Sequence, residues 1–457
     1  MSDWFMIRKG GDYAAIGKKH GISPVIARLL KNRGVESDED IERYLHGGME
    51  ILHDPGLLDG IDKCAALLKE AIDASEKIRI IGDYDIDGVC ATTILYKGIR
   101  FFGGNADARI PHRVRDGYGM NTDMIRKAKE DGISLIITCD NGIAAREEAE
   151  LANELGMRLL ITDHHEIPYT EEGGERIYLL PDAKAIVDPH LPGSTYPFPG
   201  ICGAFVAYKL ISRYSAKFGK ELGGELDENL IQMAAFATVG DIMELKDENR
   251  ALVRYGLKLM SERPADGIRE LKSVLGLNGK QISAYHLGFV LGPCINATGR
   301  IDTAERALEL FTCGDETSAL CLAAELKELN ENRKQMTEQA TNAAVKQIED
   351  KEHDGCKVYV IYLPECHESI AGIVAGRIRE RYYHPTLIVT EGEGTLKGSA
   401  RSVEAYNMYE ALTQVSDIFT RFGGHSQAAG FSLPKEKLPE LRQRLNENCT
   451  LTDEDFC

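Results

Sequence analysis

Residues 78–88 read Ile78-Arg79-Ile80-Ile81-Gly82-Asp83-Tyr84-Asp85-Ile86-Asp87-Gly88, a β-branched apolar run that empties into a glycine-flanked loop with three aspartates. Two similar runs follow. Leu135-Ile136-Ile137 leads into Thr138-Cys139-Asp140-Asn141-Gly142, and Leu159-Leu160-Ile161 into Thr162-Asp163-His164-His165. Continuous apolar runs of this length, separated by helix-length stretches, read as buried strands of a parallel sheet. The strand, glycine turn and helix repeat over about residues 76–215, which predicts an α/β fold with a mainly parallel sheet flanked by helices. A fourth acidic segment, Val239-Gly240-Asp241, follows the small-residue run Ala234-Ala235-Phe236-Ala237. Ligands of such sheets sit beyond the carboxyl ends of the strands, where these acidic groups fall. Carboxylates gathered there repel one another, and burying them unpaired is costly. Their density implies a cation, and a cation at a strand-end crevice implies an enzyme.

The bulk composition narrows the setting. At 457 residues the chain is too long for one core and predicts two lobes. It is 43% hydrophobic and 28% charged, with no apolar run long enough to span a bilayer. The opening Met1-Ser2-Asp3-Trp4-Phe5-Met6 lacks the basic-then-apolar layout of a signal peptide. The 11 cysteines form no CxxC pair, and Cys90, Cys139 and Cys202 lie in apolar or glycine-rich segments. Reduced thiols in a cytoplasm fit that usage better than a disulfide framework or a zinc site. A formal charge of −18 argues against coating nucleic acid by bulk attraction, yet leaves room for a channel with locally positive walls.

Along the chain, residues 1–75 read as a helical segment packing on the catalytic domain, with helices over Pro24–Arg33 and from Glu36 through Ile41, Tyr44 and Leu45. Residues 76–315 form the catalytic domain, 316–351 a connecting helix, 352–450 a smaller α/β domain and 451–457 an acidic tail. The connecting helix rests on Leu322, Leu326, Leu329, Met336, Val345 and Ile348 at helical intervals, without proline or glycine. Val358–Tyr362 and Pro385–Val389 read as strands around a helix near 368–383, and Lys435–Cys449 as an amphipathic helix.

The first acidic motif has two rivals. Asp83-x-Asp85-x-Asp87-Gly88 matches the opening of an EF-hand loop, but the twelfth position is Ile94 rather than the required glutamate, and a strand precedes. A solvated turn capping a helix that begins near Val89 is the other. Asp140, the His164-His165 pair and Asp241, each at a comparable place, are hard to explain by either reading.

Asp163-His164-His165 with Asp-Tyr-Asp-Ile-Asp-Gly upstream resembles the DHH phosphoesterase superfamily, and Phe422-Gly423-Gly424-His425 resembles its DHHA1 domain. The N-terminal helices, His112-Arg113-Val114-Arg115-Asp116-Gly117-Tyr118-Gly119 and Asn296-Ala297-Thr298-Gly299-Arg300 narrow the resemblance to RecJ-type single-stranded-DNA-specific exonucleases, over nearly the whole chain. The resemblance implies that Asp85, Asp87, Asp140, His164 and Asp241 hold two divalent cations, with Asp140 as the bridge. His165 would stabilise the transition state or act as an acid, and Asp83 would orient the loop, a ligand role for it staying open. Where part of the superfamily has a further histidine this chain has Ile81, so the first metal site has one fewer protein ligand. Carboxylate and imidazole without thiolate suit Mn²⁺ or Mg²⁺, with histidine tilting toward manganese.

Arg109, His112, Arg113 and Arg115 precede a Gly-Tyr-Gly turn and read either as an exposed basic edge or as a phosphate clamp; Arg300 has the same two readings. Lys397-Gly398-Ser399-Ala400-Arg401-Ser402 and Gly423-Gly424-His425 read as turns whose amides form anion nests. By the resemblance, Ser399, Arg401 and His425 grip the strand and its 5′ end. The implied function is 5′→3′ hydrolysis of single-stranded DNA to 5′-mononucleotides in repair and recombination, by a cytoplasmic monomer. Single-strand-binding protein and a RecQ-type helicase are the implied partners. The rival readings are a phosphodiesterase acting on short oligoribonucleotides or cyclic dinucleotides, and an inactive nucleic-acid-binding scaffold. The family commonly continues into an OB-fold domain. This sequence stops near where that domain would begin, which predicts a complete catalytic core with weakened strand binding.

Overall fold

The computed structural model describes residues 9–350, 355–392 and 394–456; the opening residues, Lys351 and Cys457 lie outside them. The described chain forms two units that divide inside one long helix, between Leu329 and Asn330.

The first unit opens with α1 (Tyr13–His20), α2 (Pro24–Asn32) and α3 (Asp38–His46), capped by Asp12, Ser23 and Ser37, whose side chains each accept from a backbone amide of the first turn. After α4 (Ile61–Asp73) come β1 (Lys77–Ile81), α5 (Ile86–Phe101), β2 (Asn105–Arg109), α6 (Thr122–Glu130), β3 (Leu135–Cys139), α7 (Arg146–Glu154) and β4 (Arg158–Thr162). A small exposed hairpin, β5 (Tyr169–Glu172) and β6 (Glu175–Tyr178), precedes β7 (Ala185–Val187). The five longer-range strands form a parallel sheet in the order β2-β1-β3-β4-β7. β3 is buried at all five positions, as a central strand covered on both faces requires.

β2 has no apolar run and is not legible as a strand. Its register explains it: Arg79, 3% exposed, pairs opposite Asp107 and holds that carboxylate with two hydrogen bonds of 2.9 and 2.7 Å, and Asp131 with a third of 3.0 Å. The helices then run α8 (Gly203–Phe218), α9 (Gly224–Gly240), α10 (Asp247–Glu262), α11 (Ile268–Val274) and α12 (Ala284–His286). A π turn over Leu287–Leu291 carries α12 into α13 (Gly292–Ile301), followed by α14 (Glu305–Thr312) and the long α15 (Glu316–Glu349).

The second unit holds the rest of α15, then β8 (Tyr359–Tyr362), α16 (Glu368–Tyr382), β9 (Thr386–Glu391), β10 (Leu396–Arg401), α17 (Met408–Thr413), β11 (Arg421–His425), β12 (Ala428–Leu433) and α18 (Leu438–Glu447). Its sheet is mixed, in the order β11-β12-β10-β9-β8, with only β8 and β9 parallel. The two segments read from sequence as nest-forming turns are therefore strands. Gly398 allows this because Phe431, its cross-strand partner on β12, fills the space a side chain would occupy. The C-terminal tail is docked rather than free: the Phe456 ring stacks on His384 with centroids 4.1 Å apart. The ten cysteines among the described residues are free, and no helix among them is long and apolar enough to cross a membrane.

The N-terminal segment is tied to the core of its unit by buried charge. Glu248, fully buried at the start of α10, accepts from Lys209 Nζ at 2.6 Å, Tyr196 Oη at 2.5 Å and the His53 amide at 3.1 Å. Removing one partner of such a pair leaves an uncompensated charge, at a cost of about 3–5 kcal/mol. Lys209→Met should lower stability to denaturant by that order, and adding Glu248→Leu should recover most of it. A single variant as stable as the parent would contradict the account.

Among α1–α3, His20 bonds Glu42 (Nδ1–Oε1 2.7 Å) and Asp38 (Nε2–Oδ1 2.8 Å), and these bonds, Glu42 first, raise its pKa. A raised folded-state pKa gives stability that is whole below the unfolded imidazole value of about 6.5 and lost as pH climbs through the folded value. Amide exchange of α1–α3, corrected for intrinsic rate, should accelerate across that rise, and His20→Gln should flatten the profile. Equal pH profiles in both proteins would refute it.

Candidate metal centre

The acidic segments meet at the carboxyl ends of β1, β3 and β4. After β1, Asp85 caps α5, its Oδ1 accepting from the Asp87 and Gly88 amides at 2.9 and 3.1 Å, so the helix starts at Ile86 rather than near Val89. Asp87 is 1% exposed, and its two oxygens each accept a backbone amide at 2.7 Å, from Gly203 and Ala204 at the start of α8. The positive end of that helix thus stabilises the carboxylate. Glycine is needed at 203 because a Cβ there would stand 2.7 Å from Asp140 Cβ.

Asp140 follows β3 in the left-handed region at φ 60°, its amide bonded to the Thr162 carbonyl. Its neighbour Asn141 donates to the carbonyls of Ile81 and Cys139 and accepts from the Met120 amide, tying the first two acidic loops to the Gly-Tyr-Gly turn. Asp163, after β4, accepts from the Ile143 amide at 3.0 Å, the His164 amide at 2.8 Å and His165 Nδ1 at 2.7 Å. His164 Nε2 is left facing Asp140 at 3.1 Å, Asp87 at 3.4 Å and Asp241 at 3.9 Å. Asp241 is delivered by the end of α9, its amide bonded to the Ala237 carbonyl at 2.8 Å.

Three overlapping groups have ligand atoms mutually within 4.8 Å: Asp87, His164 and Asp241; Asp83, Asp85 and Asp140; Asp140, His164 and His165. Asp83 therefore sits with Asp85 and Asp140, although it also accepts the Gly119 amide at 3.4 Å. Ile81 is fully buried beneath the loop and offers no ligand.

The electrostatics separate compensated from uncompensated carboxylates. Burial would raise the Asp163 pKa, but the hydrogen bond from His165 and the loop amides hold it below the usual range. Burial and the charges of Asp87, Asp85, Asp83 and Asp163 push Asp140 well up. Burial and Asp85 push Asp83 to about 7; burial, Asp87 and Asp85 push Asp241 to about 7; burial and Asp87 raise Asp85. Arg113 beside Asp83, His164 beside Asp85 and His165 beside Asp241 offset only part of this charge, and an oxygen-rich set with one imidazole fits hard or borderline divalent cations. Burial would lower the His165 pKa, but its bond to Asp163 and the nearby carboxylates raise it to about 9.

The basic segment divides. Arg113 stands over the Tyr84 ring at 4.5 Å and, with Arg300, Asn296, Tyr118, Asp83, Tyr84 and Asp85, lines a cavity of about 220 Å³. Arg115 instead points outward and is paired with Asp116 at 2.8 and 3.0 Å, and His112 accepts the Val114 and Arg115 amides as a turn cap. Arg109 ends β2 and donates to the Ala108 carbonyl. Of the four, only Arg113 faces the cluster.

Two participants were not singled out as site residues from sequence. Tyr118 Oη donates to the Asp140 carbonyl at 3.1 Å and lies 3.2 Å from His165 Nε2; its glycine-flanked setting was the available signal. Asn296 Oδ1 accepts the Ile86 amide at 2.9 Å. In the second unit, Arg401 on β10 and His425 on β11 both pair with Ala428 of the intervening strand, and Ser399 lies 3.4 Å from Arg401. A Cβ at Gly372 of α16 would stand 2.8 Å from Arg401 Nη2 and 2.9 Å from Ser399 Oγ. These three residues share one face of that sheet.

The DHH family N-terminal domain matches residues 77–238 and the DHHA1 domain residues 355–450. The single-stranded-DNA-specific exonuclease RecJ of Bacillus subtilis is 39% identical over 439 residues, 95% of this chain and 54% of its own length. That of Salmonella typhimurium is 33% identical over 447 residues, 94% of this chain and 75% of its own. The crystal structure of an exonuclease RecJ bound to manganese aligns with TM-score 0.75 and 31% identity, covering 89% of this chain and 97% of that one. The chain thus spans about half the length of the B. subtilis relative. With both domains present and this identity along nearly its whole length, the chain belongs to the RecJ family of DHH–DHHA1 proteins.

Proposed function

We propose that the chain is a metal-dependent exonuclease that hydrolyses single-stranded DNA in the 5′→3′ direction, releasing 5′-mononucleotides. The observation that carries the reading is the convergence of Asp83, Asp85, Asp87, Asp140, His164 and Asp241 into overlapping ligand groups beside an arginine-lined cavity. Asp87, His164 and Asp241 would hold one divalent cation and Asp83 and Asp85 another, with Asp140 reaching both; Mn²⁺, present in the solved relative, and Mg²⁺ suit these donors. Bound there, such a pair supplies charge neutralisation on the phosphate and acidifies a water for attack.

The chain's own residues do the rest. The Gly203 and Ala204 amides fix both oxygens of Asp87, so that carboxylate is oriented before any ligand arrives. Asp163 holds the Nδ1–H of His165, which keeps the imidazole protonated and leaves Nε2–H beside Tyr118 as a donor to the reacting phosphate or its leaving oxygen. Arg113 and Arg300 counter the phosphate charge from the cavity wall, against a chain whose net charge is −18. In the second unit, Ser399, Arg401 and His425 form the face on which we place the phosphates of the strand's 5′ end. Resemblance to the family extends the reading to a cytoplasmic monomer working in repair and recombination beside single-strand-binding protein and a RecQ-type helicase.

Strands labelled at the 5′ or the 3′ end, each with Mn²⁺ and with chelator, test the reading. Labelled mononucleotide should appear at once from the 5′ label, the 3′-labelled product should shorten gradually, and chelator should stop both. Asp140→Ala should reduce release by about a thousandfold or more, with the circular dichroism spectrum retained. Early mononucleotide from the 3′ label would overturn the polarity. Activity surviving chelator or Asp140→Ala would overturn the metal assignment.

A further inference from the structure

Three of the four most exposed large apolar side chains among the described residues lie on two neighbouring segments, Ile242 at 90% on the loop after α9, and Phe289 at 71% and Tyr285 at 64% on the helical segment that packs against α9. Ile242 directly follows Asp241 and stands in the left-handed region at φ 58°, a conformation that a β-branched residue adopts only under strain. Tyr285 and Phe289 stack on each other, ring centroids 5.2 Å apart and planes 28° from parallel. Tyr285 precedes the π turn and Phe289 lies within it, facing solvent while the turn buries Leu287 and Leu291 in the core. Such turns interrupt regular helices at a cost and recur at functional sites.

The turn passes close to two of the segments that carry the acidic residues. A Cβ on Gly288 would lie 4.0 Å from Val239, two residues before Asp241, and one on Gly292 would lie 3.4 Å from Ile86, between Asp85 and Asp87. Exposed apolar surface beside a cluster read as phosphate-handling suits a ligand that brings an anionic group and a flat apolar face together.

We infer that Ile242, Tyr285 and Phe289 form a platform that receives one unpaired nucleobase of the strand next to the phosphate that Arg113 and Arg300 counter beside the acidic cluster. The inference rests on the nuclease reading of that cluster and adds a specificity element to it. A base must be free on at least one face to lie against these rings. In a duplex both faces are covered by neighbouring base pairs, so the platform favours a single strand whatever its sequence, since every base has a π face. Phe289 and Tyr285 supply the stacking surface, and Ile242 closes its edge on the Asp241 side.

Affinity for short single strands carrying one abasic nucleotide, moved stepwise from the 5′ end, tests this in chelator, where nothing is cleaved. The parent chain should lose about tenfold to a hundredfold in affinity when the gap occupies one particular position, and little elsewhere. Phe289→Ala should weaken the intact strand by a similar factor and show no additional loss at that position. Phe289→Trp should restore the position dependence. Ile242→Asn, which tolerates the left-handed backbone, should weaken binding without lowering thermal stability. Losses from the gap and from Phe289→Ala that simply multiply, or a parent chain indifferent to the gap's position, would overturn the platform. Because binding is read without metal, the two readings part cleanly. A chain that shows this coupling but releases no nucleotide with Mn²⁺ keeps the platform and loses the nuclease reading. A nuclease without the coupling does the reverse.

Discussion

Mutual repulsion among buried carboxylates is the constraint around which the first unit is built. Parallel strands deliver Asp83, Asp85, Asp140 and Asp163 to one edge of the sheet, and the end of a helix adds Asp241. Part of that charge is compensated within the chain. Asp87 is held by two helix-terminal amides and Asp163 by its own histidine. What remains only partly compensated is concentrated on Asp83, Asp85, Asp140 and Asp241, whose raised pKa values record the unmet demand for positive charge. Cations that occupy the centre would reverse those shifts, making binding a source of stability as well as of chemistry.

Rigidity follows from how closely backbone packs around the cluster. Gly203 lets the start of α8 reach Asp140, and Asn296 holds the first amide of α5 from across the unit. The buried Lys209–Glu248 pair links α8, which grips Asp87, to α10, which begins just past the Asp241 loop. Candidate ligands separated by more than 150 positions in sequence, Asp85 and Asp241 among them, are thereby held by contacts within the chain. The strain at Ile242 and Asp140 is carried by this surrounding framework.

Much of this was legible in the sequence because buried parallel strands announce themselves as apolar runs, and because acidic residues directly after them have few structural explanations. β1, β3 and β4, and the long helix over Glu316–Glu349, fall where periodicity places them. The failures have physical causes. β2 is polar because it is held by Arg79 rather than by burial alone. Arg115 looks equivalent to Arg113 along the chain, but its neighbour Asp116 neutralises it on the outside. Gly-Ser-Ala-Arg and Phe-Gly-Gly-His read as turns, yet their small residues accommodate cross-strand partners within a sheet. Tyr118 and Asn296 act through contacts made only in three dimensions, which no spacing rule encodes.

The central claim is that this cluster is a binuclear cation site with Asp140 shared between its halves. Anomalous scattering at the manganese edge, from crystals of the chain grown with Mn²⁺, addresses it directly. Two peaks should appear, one against Asp87, His164 and Asp241 and the other against Asp83 and Asp85, both within bonding distance of Asp140. A single peak that avoids Asp140, or an acidic cluster with no peak at saturating manganese, would contradict the account.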